Sequence, residues 1–171
     1  MTLVFQYGSN CLDSEINSTC RLCDDAKFVD IAETVEDFEL SFDVYSTKRR
    51  CAAADIVRKP GDKVWGVLYQ IPDYLIDHAT AKACGRKSLD AIEGKKYTRE
   101  TIPVRRPNGE VVLALTYTVK SPEPGLKTRI DYVAHIVCGL REHKIPDTYI
   151  AKVKAIASAN NSDIAPEIEG L

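Results

Sequence analysis

Apolar and polar side chains alternate with a period of two along several stretches of the chain, and this alternation predicts β-strands. The apolar run over residues 64–71 is almost continuous, which is typical of a strand buried on both faces. Gly66 inside that run indicates a bend or a close approach of another backbone. The predicted strands are residues 3–7, 27–34, 38–45, 52–57, 64–71, 97–104 and 111–119.

The spacing of apolar positions becomes helical in three parts of the chain. Residues 72–93 are predicted to be helical, and Gly85 divides them into two helices, the second around residues 88–92. The chain then forms a hairpin, since Asn108-Gly109 between two alternating runs is a strong signal for one. Two amphipathic helices follow, and Asp147 is predicted to cap the second. Their expected buried residues are Ile130, Val133, Val137 and Leu140 in the first helix and Ile150, Val153 and Ala157 in the second.

These elements predict a fold with more strands than helices and with no repeat or linker. The expected class is α+β, a curled mixed β-sheet or small β-barrel flanked by helices. We expect one domain over residues 1–171, with residues 160–171 as a polar surface tail. The sequence leaves open whether the protein is a monomer or a homodimer.

Charge and hydropathy exclude several classes of partner. The formal net charge of −2 provides no basic field to attract nucleic acid or anionic lipid. No apolar run reaches the length of a membrane helix, so no membrane partner is expected. The N-terminus lacks the basic start and long apolar stretch of a signal peptide, and a cytoplasmic location is therefore predicted.

The six cysteines are expected to be reduced, because the chain is long and shows no secretory signal. Cys20 and Cys23 form a C-x-x-C motif that Cys11 or Cys51 can in principle complete as a zinc site. Structural zinc sites normally show two such pairs, and this sequence has one. Free thiols without a metal or cofactor are the prediction, and a zinc-stapled interaction domain is the alternative.

Other groups with catalytic potential are few. The three histidines fall in predicted helices without the i, i+4 spacing of a metal pair, so they are interpreted as surface or interface residues. Lys48-Arg49-Arg50 is interpreted as a solvated bend.

Glu93 is the exception among the carboxylates. Gly94 is well placed to end a short helix, which puts Glu93 in the last turn, where the helix dipole opposes a negative charge. Packing beside Ile92 would add to this effect, and both would raise the pKa of the carboxyl toward that of a working base. The alternative is an exposed glutamate pointing to water.

The first predicted strand ends in Tyr7-Gly8-Ser9-Asn10. Glycine, serine and asparagine are ordinary turn formers. A turn at the end of a buried strand also leaves backbone N–H groups free to hold a ligand.

In this order along the chain, four motifs resemble the γ-glutamylcyclotransferase-like family. They are Tyr7-Gly8-Ser9-Asn10 after the first strand, "PGDKVWGV" at residues 60–67 leading to an acidic residue before Gly94, the tyrosines Tyr97 and Tyr117, and the run "DYVAHIVCGLREHKIPDTYIAKVKAI". The resemblance covers roughly residues 3–157. Cys11 stands where family members usually carry leucine or methionine, and residues 46–51, "STKRRC", match least.

The resemblance implies an enzyme that cyclises a γ-glutamyl amide to 5-oxoproline and releases the amine, with a small-molecule substrate and no cofactor. In this family Glu93 would be the general base. The substrate-binding residues would be Tyr7, Gly8, Ser9, Asn10, Tyr117 and Tyr132. The leaving group would face the poorly matched residues 46–51, so a γ-glutamyl dipeptide and a γ-glutamylamine both remain as substrates. A non-catalytic γ-glutamyl-binding module of the same fold is a further alternative.

Overall fold

The computed structural model describes all 171 residues. The chain forms seven strands: β1 Thr2–Gln6, β2 Lys27–Thr34, β3 Phe38–Ser46, β4 Cys51–Arg58, β5 Trp65–Ile71, β6 Tyr97–Arg105 and β7 Val111–Val119. The helices are α1 Asp13–Ile16, α2 His78–Ala83, α3 Leu89–Glu93, α4 Ile130–Glu142, α5 Asp147–Asn160 and α6 Ala165–Glu169. Short 3₁₀ turns lie at Ser9–Cys11, Asp73–Leu75 and Ser162–Ile164.

Five strands form a closed barrel in the order β1-β5-β2-β6-β7. The β5 strand, predicted to be buried on both faces, lies between β1 and β2 and is antiparallel to both. A parallel contact between Val4 of β1 and Leu115 of β7 closes the barrel. The strand directions are therefore mixed, and the α+β barrel with surrounding helices is confirmed.

The remaining two strands, β3 and β4, pair only with each other as an antiparallel hairpin. A bulge between Phe42 and Val44 bends this hairpin. Its carbonyl at Asp43 accepts a hydrogen bond from the N–H of Glu123 at 2.6 Å, and the Ala52 N–H donates to the carbonyl of Lys127 at 3.0 Å. These bonds hold the hairpin against the segment that joins the barrel to α4.

Two glycines allow backbones to approach closely at the end of β1. A Cβ atom on Gly66 would lie 2.3 Å from the carbonyl oxygen of Gln6, which confirms the close approach that the sequence indicated. A Cβ on Gly139 of α4 would lie 2.5 Å from the amide nitrogen of Leu12. Any larger side chain at either position would displace the segment that follows β1.

A partly buried polar cluster also holds the segment that follows β1 in place. The hydroxyl of Tyr69 on β5 donates to the Asp13 carboxylate at 2.5 Å and lies 3.1 Å from the Cys11 carbonyl oxygen. Nε2 of His143 lies 3.1 Å from the same carboxylate, and its ring stacks on Phe28 at 4.6 Å. The interpretation of the histidines as surface or interface residues does not hold for His143, whose side chain is 6% exposed and packs within the protein.

The α4 and α5 helices pack on the barrel largely through the residues that their spacing predicted. Val133, Val137 and Leu140 of α4 are buried, as are Ile150, Val153 and Ala157 of α5, whereas Ile130 is only partly buried. Asp147 is the first residue of α5, and the residue before it, Pro146, occupies the cap position without a side-chain cap. The predicted capping role of Asp147 is therefore wrong. Beyond α5, the final residues form a 3₁₀ turn and α6, and the side chain of Ile168 is buried.

Candidate active site

The four residues after β1 turn the chain sharply into the 3₁₀ turn at Ser9–Cys11. The N–H of Cys11 donates to the Gly8 carbonyl at 3.0 Å, whereas the N–H of Gly8 donates to no other protein group. The Tyr7 hydroxyl donates to the Tyr117 carbonyl at 2.5 Å, which ties the turn to β7. Ser9 and Asn10 are buried with it.

Glu93 is the last residue of α3. The Ser88 hydroxyl caps the start of this short helix by accepting from the Ala91 N–H at 3.1 Å. Gly94 ends it with a φ of +92°, a conformation that glycine adopts without strain. The predicted short helix with Glu93 in its last turn is confirmed.

The carboxylate of Glu93 reaches across to the turn. Its Oε1 atom accepts a hydrogen bond from Nδ2 of Asn10 at 2.9 Å and a second from Nε2 of Gln6 at 3.2 Å. Burial raises the pKa of the Glu93 carboxyl, although the hydrogen bond from Gln6, the charge of Arg21 and the hydrogen bond from Asn10 oppose the rise. Both amide donors use Oε1, so Oε2 has no protein donor. The exposed glutamate considered from the sequence is excluded.

Behind Asn10 lies a buried cluster of charged side chains. Nη1 of Arg21 donates to Oδ1 of Asn10 at 2.6 Å, and Nη2 lies 2.7 Å from the Glu15 carboxylate. Arg49 binds the same oxygen of Glu15 at 2.5 Å. Burial alone would raise the pKa of Glu15, but Arg21, Arg49 and Lys48 lower it overall.

Four tyrosines surround the turn and Glu93, and three of them have already used their hydroxyl protons. Tyr7 donates to the Tyr117 carbonyl, Tyr117 to the Asp90 carboxylate at 2.7 Å, and Tyr97 to the Ala54 carbonyl at 2.6 Å. The hydroxyl of Tyr132 on α4 accepts from the N–H of Ala54 at 3.0 Å and donates to no protein atom. Burial raises the pKa of Tyr132 to about 12, so its hydroxyl keeps its proton at neutral pH.

These groups line two adjoining cavities that share part of their walls. The inner pocket, of about 40 Å³, is lined by Gln6, Tyr7, Gly8, Ser9, Asn10, Ala54, Glu93, Tyr97, Tyr117 and Tyr132. An outer vestibule of about 280 Å³ shares Ser9, Asn10, Glu93, Tyr97 and Tyr132 with it. Glu93 therefore lies where the two cavities meet.

The vestibule differs from the inner pocket in its charge. Five basic residues line it, Arg21, Lys48, Arg49, Lys95 and Lys96, against the single carboxylate of Glu93. Glu15 pairs with both arginines, and Glu123 pairs with Lys96. Lys48 and Lys95 have no carboxylate within salt-bridge distance, and both are exposed at the rim.

Comparison with known proteins places the chain in a family. Residues 63–153, more than half of the chain, match the AIG2-like family. The chain belongs to the AIG2-like family. It is 29% identical to the gamma-glutamylcyclotransferase of Mus musculus over 164 residues, which cover 90% of this chain and 78% of the mouse protein. It is 28% identical to the Homo sapiens gamma-glutamylcyclotransferase over 177 residues, which cover 99% of this chain and 86% of the human protein.

Solved structures share the fold. A gamma-glutamyl cyclotransferase superposes with a TM-score of 0.76 at 26% identity, covering 91% of this chain and 87% of that one. A Homo sapiens protein described as uncharacterized superposes with a TM-score of 0.74 at 25% identity, and the match again covers 91% of this chain and 87% of that one. YkqA from Bacillus subtilis superposes with a TM-score of 0.72 at 19% identity. The match covers 93% of this chain and 55% of YkqA, and it supports the fold alone. The resemblance to the γ-glutamylcyclotransferase-like family is confirmed.

The structure brings every predicted site residue to the inner pocket, from four separate parts of the chain. Sequence reasoning did not identify Gln6, Arg21 and Ala54 as neighbours of the predicted site residues. It named Tyr97 only as part of a motif and not as a residue of the pocket. Gln6 is a polar residue at the end of a buried strand, and that signal could have found it. Ala54 contributes its backbone, which leaves no signal in residue type.

Two other sequence interpretations have clear outcomes. The solvated bend at Lys48-Arg49-Arg50 is wrong for Arg49, which is half-buried against Glu15 and lies 5.7 Å over the ring of Tyr132.

All six cysteines are free, and only Cys11 and Cys51 are buried. The structure gathers no group of three or more His, Cys, Asp or Glu side chains suited to a metal ion. It also contains no helix with the length and hydropathy needed to cross a membrane.

Proposed function

We propose that this protein cyclises γ-glutamyl amides to 5-oxoproline, with Glu93 as the general base. The observation that carries the proposal is the position of Glu93, whose carboxylate lies between the turn at residues 7–10 and the tyrosines, with one oxygen free. The kinship with proteins named gamma-glutamylcyclotransferase supports the same reaction.

The reaction needs a proton acceptor first. A γ-glutamyl amide carries its own nucleophile, the α-amine, which is mostly protonated at neutral pH. Glu93 takes one of these protons on Oε2, the oxygen that no protein group occupies. A raised pKa makes this carboxylate a better acceptor than an exposed glutamate, and the hydrogen bonds to Oε1 hold it in place.

The flexible substrate must then be held in a curled conformation. The amine nitrogen attacks the γ-carbonyl carbon and closes a five-membered lactam, so holding the two atoms within reach supplies several kcal/mol of the barrier. The unpaired N–H of Gly8 and the buried turn around it are suited to bind the γ-glutamyl group. The inner pocket accepts part of the substrate, and the remainder extends into the vestibule.

Negative charge develops on the carbonyl oxygen during the attack. Tyr132 is the tyrosine of the pocket with an unused hydroxyl proton, and it is our candidate to stabilise this oxyanion. The intermediate collapses by breaking the bond to the leaving nitrogen, which takes the proton that Glu93 received. The ring nitrogen gives up its second proton, through Glu93, to the released amine. The products are therefore 5-oxoproline and a protonated amine, and neither water nor a cofactor is consumed.

The charge of the vestibule favours a γ-glutamyl dipeptide over a γ-glutamylamine. The leaving amino acid of a dipeptide carries a carboxylate, whereas a simple amine does not. Lys48 and Lys95 at the rim lack an acidic partner, so they are available to attract that carboxylate. A γ-glutamylamine is the second candidate substrate because the vestibule is open enough to admit it.

The test is a product assay with the purified protein. Matched γ-glutamyl dipeptides and γ-glutamylamines are incubated with it, and 5-oxoproline is measured. We expect 5-oxoproline from the dipeptides at a lower KM than from the amines. Binding of these compounds without any product would instead favour the non-catalytic binding module, and neither binding nor turnover would reject the proposal.

A further inference from the structure

A buried arginine outside the predicted site contacts Asn10, which donates one of the hydrogen bonds to Glu93. The side chain of Arg21 is 9% exposed and bridges Glu15 and Asn10. Its Nε atom is buried without any hydrogen-bond partner. The unpaired buried N–H costs stability, whereas the contacts of the same guanidinium with Glu15 and Asn10 oppose that cost.

The chemistry of the guanidinium determines which way the Asn10 amide faces. Arginine has only donors, so the Asn10 atom that it contacts must be the oxygen, Oδ1. The Nδ2 group of Asn10 then points to the other side, where it donates to Oε1 of Glu93 at 2.9 Å. If the amide turned over, its oxygen would face the carboxylate and repel the ionised form.

We propose that Arg21 is a positioning residue that orients the Asn10 amide, so that Glu93 always receives a hydrogen bond on Oε1 and presents Oε2 to the substrate. This role rests on the proposed function of Glu93 but concerns a residue that does not contact the carboxylate. The donors at Asn10 and Gln6 stabilise the ionised carboxylate, and burial opposes them. Arg21 thereby favours the ionised form of the base and opposes the effect of burial on its pKa.

The other groups that face Glu93 do not replace this contact. Gln6 donates to the same oxygen from β1, and its orientation does not depend on Arg21. Asp90 on the same helix raises the pKa of the Glu93 carboxyl through its charge. The surrounding titratable and basic side chains are Tyr7, Tyr97, Tyr117 and Tyr132 in the pocket and Lys48, Arg49, Lys95 and Lys96 in the vestibule.

The experiment measures the ionisation of Glu93 directly. Side-chain carboxyl carbons of glutamate are labelled with ¹³C, the Glu93 signal is assigned by its loss in Glu93→Gln, and its titration midpoint is followed by NMR. We expect Arg21→Met to move the midpoint to higher pH by about one pH unit, as expected for loss of a hydrogen bond and a nearby opposite charge. Arg49→Met removes the same charge from Glu15 without touching Asn10, so it should move the midpoint much less.

A double-mutant cycle separates orientation from the simple field of the charge. If Arg21 acts through Asn10, Arg21→Met should move the midpoint much less in an Asn10→Ala background than in the wild type. Equal shifts in the two backgrounds would overturn the proposal. If Arg21→Met does not fold, Arg21→Lys replaces it. Lysine replaces the two nitrogens of the rigid guanidinium fork that reach Glu15 and Asn10 with one ammonium on a flexible stem, so the contact to Asn10 loses its fixed geometry. We again expect a raised midpoint, and an unchanged one overturns the proposal.

Activity supplies an independent result. With a γ-glutamyl dipeptide, the acidic limb of the kcat/KM profile should move with the NMR midpoint in Arg21→Met. If the midpoint moves as predicted but the wild-type protein forms no 5-oxoproline, the positioning of Glu93 stands and the proposed function fails. If 5-oxoproline forms but the midpoint does not respond to Arg21→Met, the proposed function stands and the positioning role fails.

Discussion

The inner pocket and the vestibule meet at Glu93, yet they are built in opposite ways. The inner pocket is formed largely from buried side chains, and three of its tyrosines, Tyr7, Tyr97 and Tyr117, bind their hydroxyl protons to other groups of the protein. The vestibule is wider, and its rim carries the exposed, unpaired Lys48 and Lys95. A buried hydrogen-bonded network defines one geometry, whereas exposed lysines supply charge with little geometry.

This difference separates two tasks in the proposed reaction. The inner pocket holds the group that is common to all γ-glutamyl compounds and places it against the base. The vestibule receives the leaving group, which varies from one substrate to another. Changes in the inner pocket should therefore affect kcat, and changes at the rim should affect KM and the choice of substrate.

The largest effect is expected for Glu93→Gln. Glutamine has nearly the shape of glutamate and can still hydrogen-bond, but it cannot accept the ammonium proton. We expect kcat to fall by roughly 10²–10⁴, with KM much less affected, in a 5-oxoproline assay. The exposed Glu169 provides the control, since Glu169→Gln removes the same charge far from the pocket contacts.

A near-normal rate for Glu93→Gln would remove Glu93 from the mechanism. Asp90→Asn is not suitable as a neutral control, although Asp90 lies one turn earlier in α3. Its carboxylate accepts from the Tyr117 hydroxyl and pairs with Arg99 at 3.2 Å. Its substitution would disturb the pocket itself.

The next largest effect is expected for Tyr132→Phe. Loss of one donor to a developing oxyanion costs on the order of 10²-fold in kcat. Tyr97→Phe is the matched comparison because it removes a pocket hydroxyl whose proton is already bound to the Ala54 carbonyl. Steady-state kinetics should show a clearly larger loss of kcat for Tyr132→Phe, and equal losses would contradict the proposed role of its hydroxyl.

A smaller effect is expected at the rim. The double substitution Lys48→Glu with Lys95→Glu should raise KM for a γ-glutamyl dipeptide by roughly threefold to tenfold, since exposed charge pairs contribute about 0.2–1 kcal/mol each. KM for a neutral γ-glutamylamine should change little. The difference should shrink in high salt, which screens exposed charges. If KM rises equally for both substrates, the lysines at the rim do not bind the carboxylate of the leaving group.

The smallest effect concerns the β3–β4 hairpin, which contributes Ala54 to the inner pocket and residues 46–49 to the rim. Burial, together with the nearby Asp43, raises the pKa of Asp55 on this hairpin to about 6. The folded chain thus keeps a proton on Asp55 at pH values where the unfolded chain has lost it. The protonated Asp55 therefore stabilises the folded state. This contribution to the free energy of unfolding is fully present below the ordinary carboxyl pKa and is lost as the pH rises through about 6.

Asp55→Asn should abolish the loss of stability that accompanies ionisation of Asp55, because asparagine carries no charge at any pH. The asparagine oxygen can still accept from the N–H of Val119, and its NH₂ group can donate to Oδ1 of Asp43, which is buried without a partner. We expect the melting temperature to rise by about 2–5 °C at pH 7.5 and not at pH 4, by thermal unfolding. The exposed Asp163→Asn is the control. A gain of equal size at both pH values would show that ionisation of Asp55 is not the cause.

The sequence alone was sufficient for most of the architecture. The β5 strand was recognisable because its apolar run is nearly continuous, and the helix ending at Glu93 because glycine at position 94 stops it. Local patterns of this kind report burial and backbone conformation, which depend mainly on neighbouring residues. The same logic failed at Asp147, since its position next to the helix start did not reveal that Pro146 occupies the cap.

The tertiary structure decided how the site is assembled. Arg21 lies in the loop that carries the C-x-x-C motif, and nothing local shows that it reaches Asn10 or that Arg49 is drawn from the surface to Glu15. The direction of the Asn10 amide and the unused hydroxyl proton of Tyr132 are also properties of contacts between distant segments. The residue types were readable from the sequence, but hydrogen-bond partners follow from closure of the barrel, which brings these segments together.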